Sequence, residues 1–349
     1  MDSESQKAEG IREIAKQAGV SIATVSRVIN SPLLTSPQTR AKVLEVIEKN
    51  QYVPNQIARH FISGKTNSIG FMVFDLRIPF YISIIHYLNQ LAFDRGYNVL
   101  ICDTGTSLEK ESKYFKYCQS IRASGVVFTE GWTRGWEHKL GVHYTTVPYP
   151  NMPIVLLDRN IVNNHNCYIV KSNHYFGITL LMNHLYALGH KDIGFIRGPV
   201  FMSSANERYD SYLANLKKYN LHRQSHLIFN GDFTEKSGMD AFDYFQSLPY
   251  PPTAIIASDD AMAKGFILKA FACGVEIPEK YSVCGVDGVE EKSFFPPLTT
   301  IKQDTKALAE AIFNFIINAK SIKPPNQAII DVSLIKGRTC RRIKHPIIS

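Results

Sequence analysis

The hydrophobic positions of the chain change rhythm once, near residue 65, and the change separates two kinds of structure. Between residues 11 and 50 apolar side chains recur at helical spacing. Ile11, Ile14, Ala15 and Ala18 make one i, i+3, i+4, i+7 stripe, which Gly19 ends. A second helix is predicted from Ser21, a favourable N-cap, with Val25, Val28 and Ile29 on one side. A third starts at Ser36 with Pro37 in its first position and directs Val43, Leu44, Val46 and Ile47 inward. Three such helices bury little surface, so the unit is expected to need the rest of the chain or its target for full order.

From residue 66 the pattern alternates apolar strand with amphipathic helix. Strands are predicted at 68–74, 97–102, 125–129, 153–157, 192–197, 226–230, 253–257 and 281–286, and helices at 80–95, 108–123, 175–188, 205–219, 234–247, 260–272 and 305–319. This order implies parallel sheets with right-handed crossovers, and there are too many strands for one open sheet. The predicted fold is α/β: a small all-α head followed by a two-lobed, doubly wound core. Ligands in such folds sit beyond the carboxyl ends of the strands, so strand-end residues become site candidates.

Composition adds little until charge is mapped along the chain. At 349 residues, 45% hydrophobic and 20% charged, the chain is long enough for two or three domains of ordinary globular character. No apolar run is long enough to span a membrane, and the start MDSESQKAEG lacks a secretory signal, so a cytoplasmic protein is expected. The six cysteines are scattered without metal-ligand spacing, which predicts reduced buried thiols and no metal or cofactor. The net charge is +8: residues 10 to 65 carry +5, the fivefold longer stretch 66–349 another +5, and the first nine residues −2. The head is therefore where a polyanion would bind.

The stretch GVSIATVSRVIN suits that partner. Val25, Val28 and Ile29 point one way, Ala23, Ser26, Arg27 and Asn30 the other, and Thr24 lies at the margin. Helix, tight turn and helix make a helix-turn-helix, and small side chains on the exposed face allow close approach to a major groove. Arg27 can contact a guanine edge, while Ser21, Thr24 and Ser26 can donate to phosphates. The same pattern would also suit a solvated helix in a three-helix bundle.

The string IREIAKQAGVSIATVSRVIN, continued through YVPNQIARHFISGKTNSIG and PPLTTIKQD, resembles the LacI/GalR family of bacterial transcriptional regulators over residues 10 to 340. The resemblance implies a helix-turn-helix DNA-binding domain at 10–54, a hinge helix at 55–65 and an effector-binding and dimerisation core at 66–340. Its N-lobe would comprise about 66–161 and 293–320, and its C-lobe about 162–292 and 321–340. It further implies a homodimer on a palindromic DNA operator, controlled by a sugar or sugar-phosphate effector. By position, Ile22 and Ala23 fall where operator-specific residues stand, with only apolar contact to offer, and Arg27 matches a base-reading arginine. Ser21, Thr24, Ser26, Asn30, Ser36, Thr39, Tyr52 and Asn55 match residues that touch backbone or bases. Asn55, Ala58 and Phe61 fall in the hinge. Phe61 replaces a usual leucine and would wedge into the minor groove or pack the hinge on the core.

For the effector the resemblance points to Phe80, Tyr81, Asp158, Arg159, Arg208, Phe233 and Asp260, with Thr129 beside them. Aromatic walls, a planar arginine and a carboxylate suit a polyol. Asp158 and Asp260 would equally cap helices, and Arg208 would equally pair with Glu207 or Asp210. Ser172, Ser211, Ile78 and Asp259 stand where the family usually has aspartate, glycine, asparagine and asparagine, which implies an uncommon ligand or affinity. No nucleotide-binding, metalloprotease or hydrolase motif occurs, so no enzyme is expected. A transport-type sugar-binding protein would share the core but have no use for a basic head. Control by a protein partner, of the catabolite-control type, is the alternative within the family.

Overall fold

The computed structural model describes residues 10–52, 66–105, 107–130, 152–159, 167–221, 223–288, 294–319 and 326–343; the hinge residues Asn55, Ala58 and Phe61 lie outside them, as does the side chain of Asn30. The chain divides into two compact units, Met1–Lys65 and Thr66–Ser349.

The first unit holds α1 (Ile11–Gln17), α2 (Ile22–Asn30) and α3 (Pro37–Lys49). Gly19 sits at φ +62°, a left-handed conformation that costs glycine nothing and lets the chain reverse between α1 and α2. The Ser21 and Ser36 hydroxyls cap α2 and α3 by accepting from the Thr24 and Thr39 amides at 3.1 and 3.2 Å. Ile14, Ala15, Ala18, Val25, Val28 and Val43 close the core, with Ile11, Ile29, Val46 and Ile47 against it. Each fully buried valine or isoleucine contributes about 1.5–3 kcal/mol. Leu44, expected inside, is exposed: it lies beside Val43 on the helix, about 100° round, and the stripe of Val43, Val46 and Ile47 takes the core side.

The second unit is built on two six-stranded sheets. The first runs β11-β5-β4-β3-β1-β2, with β1 Ser68–Val73, β2 Asn98–Asp103, β3 Gly125–Phe128, β4 Ile154–Leu157, β5 Cys167–Ser172 and β11 Gln327–Ile330, all parallel. The second runs β12-β10-β9-β8-β6-β7, with β6 Ile193–Arg197, β7 Ile228–Asn230, β8 Ala254–Ala257, β9 Ser282–Asp287, β10 Thr299–Gln303 and β12 Val332–Ile335; only β12 is antiparallel to its neighbour. Strands such as β3, β4 and β8 are buried throughout, as expected when helices cover both faces. In the N-lobe α4 (Pro79–Phe93) and α10 (Thr305–Asn318) pack one face through Ile84, Leu88, Ile312 and Phe313, and α5 (Leu108–Ser120) packs the other through Phe115 and Cys118. In the C-lobe α6 (His174–Ala187) and α7 (Ser203–Lys218) cover one face, α8 (Glu235–Gln246) and α9 (Asp260–Ala272) the other.

The sheets correct the expected lobe boundaries. β5 and β11 belong to the N-lobe and β10 to the C-lobe, so the chain passes between lobes at Asn173, Asp304 and Asp331 rather than near 161, 293 and 320. These three strands are short and mix polar with apolar positions, so the sequence pattern did not announce them, and β12 escaped for the same reason. All six cysteines are free thiols, but Cys273 is exposed and Cys340 half-buried rather than buried. Among the described residues no helix is long and apolar enough to cross a membrane, and no group of side chains is arranged to hold a metal ion.

Candidate functional site

Two surfaces carry the chemistry. On α2, Ser21, Ile22, Ala23 and Arg27 are exposed, and Thr24 and Ser26 are half-exposed. Val25 and Val28 anchor the opposite side of the helix in the core, which fixes which face is presented. Arg27 forms no ion pair with any described residue. Ser21 and Ser36 bond to Thr24 and Thr39 hydroxyl to hydroxyl at 2.9 and 2.8 Å, so these four side chains mark the N-termini of α2 and α3, where backbone N–H groups favour a phosphate. Thr39 and Tyr52 are half-exposed; Tyr52 also packs against the head core.

In the core, a cavity opens at the carboxyl ends of the strands, between the lobes. Phe74, Ile78, Phe80, Tyr81, Glu130 and Asp158 line it from the N-lobe, and Met202, Ser204, Arg208, Phe233, Asp259 and Asp287 from the C-lobe. Five of the eight expected effector residues are thereby brought together: Phe80, Tyr81, Asp158, Arg208 and Phe233. Thr129 lies behind the lining, where its hydroxyl accepts from the Phe74 amide at 2.9 Å. Arg159 does not line the cavity. Its guanidinium is buried against Glu111 at 3.0 Å and over the Phe128 ring, because the chain after Asp158 turns the next side chain into the N-lobe. Asp260 is also removed from the lining: its oxygens accept from the Thr300 hydroxyl at 2.6 Å and the Gly288 amide at 2.9 Å. Gly285 permits this, since a Cβ there would sit 2.2 Å from Asp260 Oδ1. Asp259 faces the cavity instead while capping α9 through the Met262 amide.

The polar groups form one network across the lobes. Asp158, in the left-handed region at φ +53°, accepts from the Ser172 amide at 3.1 Å and pairs with His174 Nε2 at 2.8 Å. Arg208 has only donors, so His174 Nδ1, at 3.3–3.4 Å, must accept and Nε2 must donate to Asp158. Arg208 also donates to the Ser258 carbonyl, lies 3.8 Å from Asp287 and stands over the Phe233 ring. Gly198 makes room for that ring, for a Cβ would meet it at 2.3 Å. Glu130 accepts from the Ser204 amide and hydroxyl, both at 2.6 Å.

Burial shapes the charges. It pushes the Glu130 and Asp259 carboxyls up to about 7 and Asp260 to about 6, and it holds Asp287 well above the usual carboxylate range against the pull of Arg208. The neighbouring Asp158 charge adds to the rise at Glu130, while the Ser204 bonds oppose it. Tyr81 is held well above its ordinary value by burial and by the nearby acids. The site can offer hydroxyl acceptors, one fork of donors and aromatic walls.

Sequence reasoning missed the polar residues Glu130, Ser204, His174 and Asp287, and Phe74 and Met202 of the lining. Glu130 follows an apolar strand directly, and its strand-end position was the available signal.

The comparisons with known proteins agree with this anatomy. Residues 10–55 match the bacterial regulatory proteins of the lacI family, and residues 182–340 match the periplasmic binding protein-like domain. The HTH-type transcriptional repressor PurR of Mannheimia succiniciproducens is 30% identical over 323 residues, covering 92% of this chain and 95% of that protein. Its counterpart from Serratia proteamaculans is 29% identical over 332 residues, covering 94% and 96%. Among solved structures, the lac repressor dimer bound to operator and the anti-inducer ONPF superposes with a TM-score of 0.84 at 25% identity, covering 96% of this chain and all of that one. With its helix-turn-helix head and two-lobed core, the chain belongs to the LacI family of bacterial transcriptional regulators.

Proposed function

We propose that the protein is a cytoplasmic, sequence-specific repressor that binds a palindromic operator as a homodimer and releases or grips it according to a small effector in the interlobe cavity. The observation that carries this reading is the pairing of two built surfaces in one chain: an exposed, core-anchored recognition helix, and a buried interlobe network of acceptors around a single arginine. The relatives support it, since the PurR proteins are named repressors and the lac repressor is a dimer on its operator.

On the head, Arg27 reads a base edge, Ile22 and Ala23 make apolar contact in the groove, and Ser21, Thr24, Ser26, Asn30, Ser36, Thr39, Tyr52 and Asn55 hold backbone or bases. Ala58 and Phe61 would meet the minor groove. In the cavity, Phe74, Phe80, Tyr81 and Phe233 wall the apolar face of a sugar ring, while Asp158, Asp259 and Arg208 take its hydroxyls. The network joins the lobes through Asp158–His174 and Glu130–Ser204, so a ligand that inserts among these groups changes how firmly the lobes close.

The test uses the full-length protein. Selection from random duplexes should return a palindrome, and a thermal-shift screen of sugars should return a ligand that changes its affinity. Recovery of no enriched duplex would refute the DNA reading; enrichment unaltered by any stabilising ligand would refute the effector reading.

A further inference from the structure

Helix α7 has no cap of its own. Its N-cap residue is Met202, which makes no capping bond, whereas α6, α8 and α9 are capped by Asn173, Thr234 and Asp259. The cap comes from the opposite lobe. Glu130, only 6% exposed, receives the Ser204 amide on Oε1 and the Ser204 hydroxyl on Oε2, both at 2.6 Å, and two donors on one carboxyl group is the pattern of a bound anion. The amino end of a helix facing a ligand cavity is where a phosphate or carboxylate of a ligand would be held. Here that position already contains a carboxylate supplied by the protein.

We infer that Glu130 is a specificity-determining residue: a resident carboxyl group that fills the anion position of the cavity and restricts the effector to uncharged, hydroxyl-bearing molecules, excluding sugar phosphates and sugar acids. The inference rests on the effector reading of the cavity given above.

The rest of the lining favours the same discrimination. Asp158, Asp259 and Asp287 face the cavity, and Arg208 is the one cation among the described lining residues. Its guanidinium is already engaged by the Ser258 carbonyl and His174. An incoming phosphate would have to displace Glu130 and then remain among three further carboxyl groups. A hydroxyl can donate to any of these acceptors without such a cost.

The test compares wild type, Glu130→Ser and Glu130→Gln as full-length proteins, melted at pH 8, where Glu130 is ionised, in inorganic phosphate and in sodium chloride of equal ionic strength. Serine opens the position and removes the charge; glutamine removes the charge and keeps the volume. The wild-type Tm should follow the salt control, the serine variant should gain a saturable stabilisation from phosphate, and the glutamine variant a smaller one. Hydrogen exchange should locate the gain by slowed amides at residues 203–206. Equal stabilisation of wild type and variants overturns the inference, as does a serine variant with wild-type circular dichroism that ignores phosphate. If the serine variant does not fold, a glutamine variant that ignores phosphate overturns it alone. Failure of the effector reading looks different: no neutral sugar would stabilise wild type, while phosphate still entered the variants.

Discussion

Two arginines summarise the division of labour in this protein. Arg27 is exposed on α2 with no ion-pair partner among the described residues, and Arg208 is 4% exposed on α7, hydrogen-bonded to a carbonyl and an imidazole and 3.8 Å from the Asp287 carboxyl group. The partner proposed for the first lies outside the chain. The second is already held in place by partners within it. A residue of the first kind can be removed with little effect on folding, whereas one of the second kind supports the fold as well as the site.

The largest expected effect therefore belongs to Arg208. Arg208→Ala leaves His174 Nδ1 and the Ser258 carbonyl buried without this donor and takes away the charge facing Asp287, and should lower core stability by about 3–5 kcal/mol as read from the urea midpoint. It should also abolish the response to whichever sugar stabilises wild type. A variant that unfolds like wild type would mean that the network does not hold the lobes.

The acids around Arg208 give the next effect, through pH. Glu130 and Asp259 titrate near 7 and Asp260 near 6 in the folded core, above their unfolded values because burial disfavours the charge. The folded state thus holds these protons more tightly than the unfolded state. That stabilisation is fully present below the ordinary carboxylate range and is lost as pH rises through 6 to 7, at about 1.4 kcal/mol for each pH unit separating folded from unfolded titration. The ligand-free core should melt lower at pH 8 than at pH 5, and Glu130→Gln should flatten the slope. A core that melts higher at pH 8 would contradict the burial of these groups.

Arg27→Ala is the counterpart in the head. It should leave the melting profile within about 0.5 kcal/mol of wild type and weaken binding to the selected operator by about 1–3 kcal/mol, measured by gel shift. Loss of folding with loss of binding would erase the contrast between the two arginines.

The same contrast explains what the sequence made legible. The head could be read almost completely, because each of its helices carries its own stripe, cap and stop within a few residues: Ile14 and Ala18 before Gly19, Ser21 before Val25 and Val28, Ser36 and Pro37 before Val43. The side chains proposed to meet DNA are mostly those that these helices leave facing outward. The core strands and helices were legible for the same local reason. The cavity was legible only in part. Phe80, Tyr81, Asp158, Arg208 and Phe233 were placed by resemblance, but local pattern cannot tell that Glu130 reaches Ser204 across 74 positions, or that Arg159 turns to Glu111 across 48. Asp259 and Asp260 are neighbours in the chain, and only the closeness of Thr300 and Gly288 decides which of them faces the cavity.

The smallest expected effect separates two roles carried by one hydroxyl. Ser36 caps α3 by accepting from the Thr39 amide at 3.2 Å, and its exposure also suits a contact to the operator backbone. Ser36→Ala removes both and should cost the head about 1 kcal/mol, whereas Ser36→Gly removes the hydroxyl but preserves most of the capping preference, at a cost of a few tenths, roughly, of a kcal/mol. Hydrogen exchange of the α3 amides in the full-length protein reads the cap, and gel shift reads the contact. If alanine and glycine weaken operator binding equally while only alanine loosens α3, the hydroxyl touches DNA directly. If operator affinity instead follows α3 stability in both variants, Ser36 serves the head only as a cap, and the operator contact assigned to it is withdrawn.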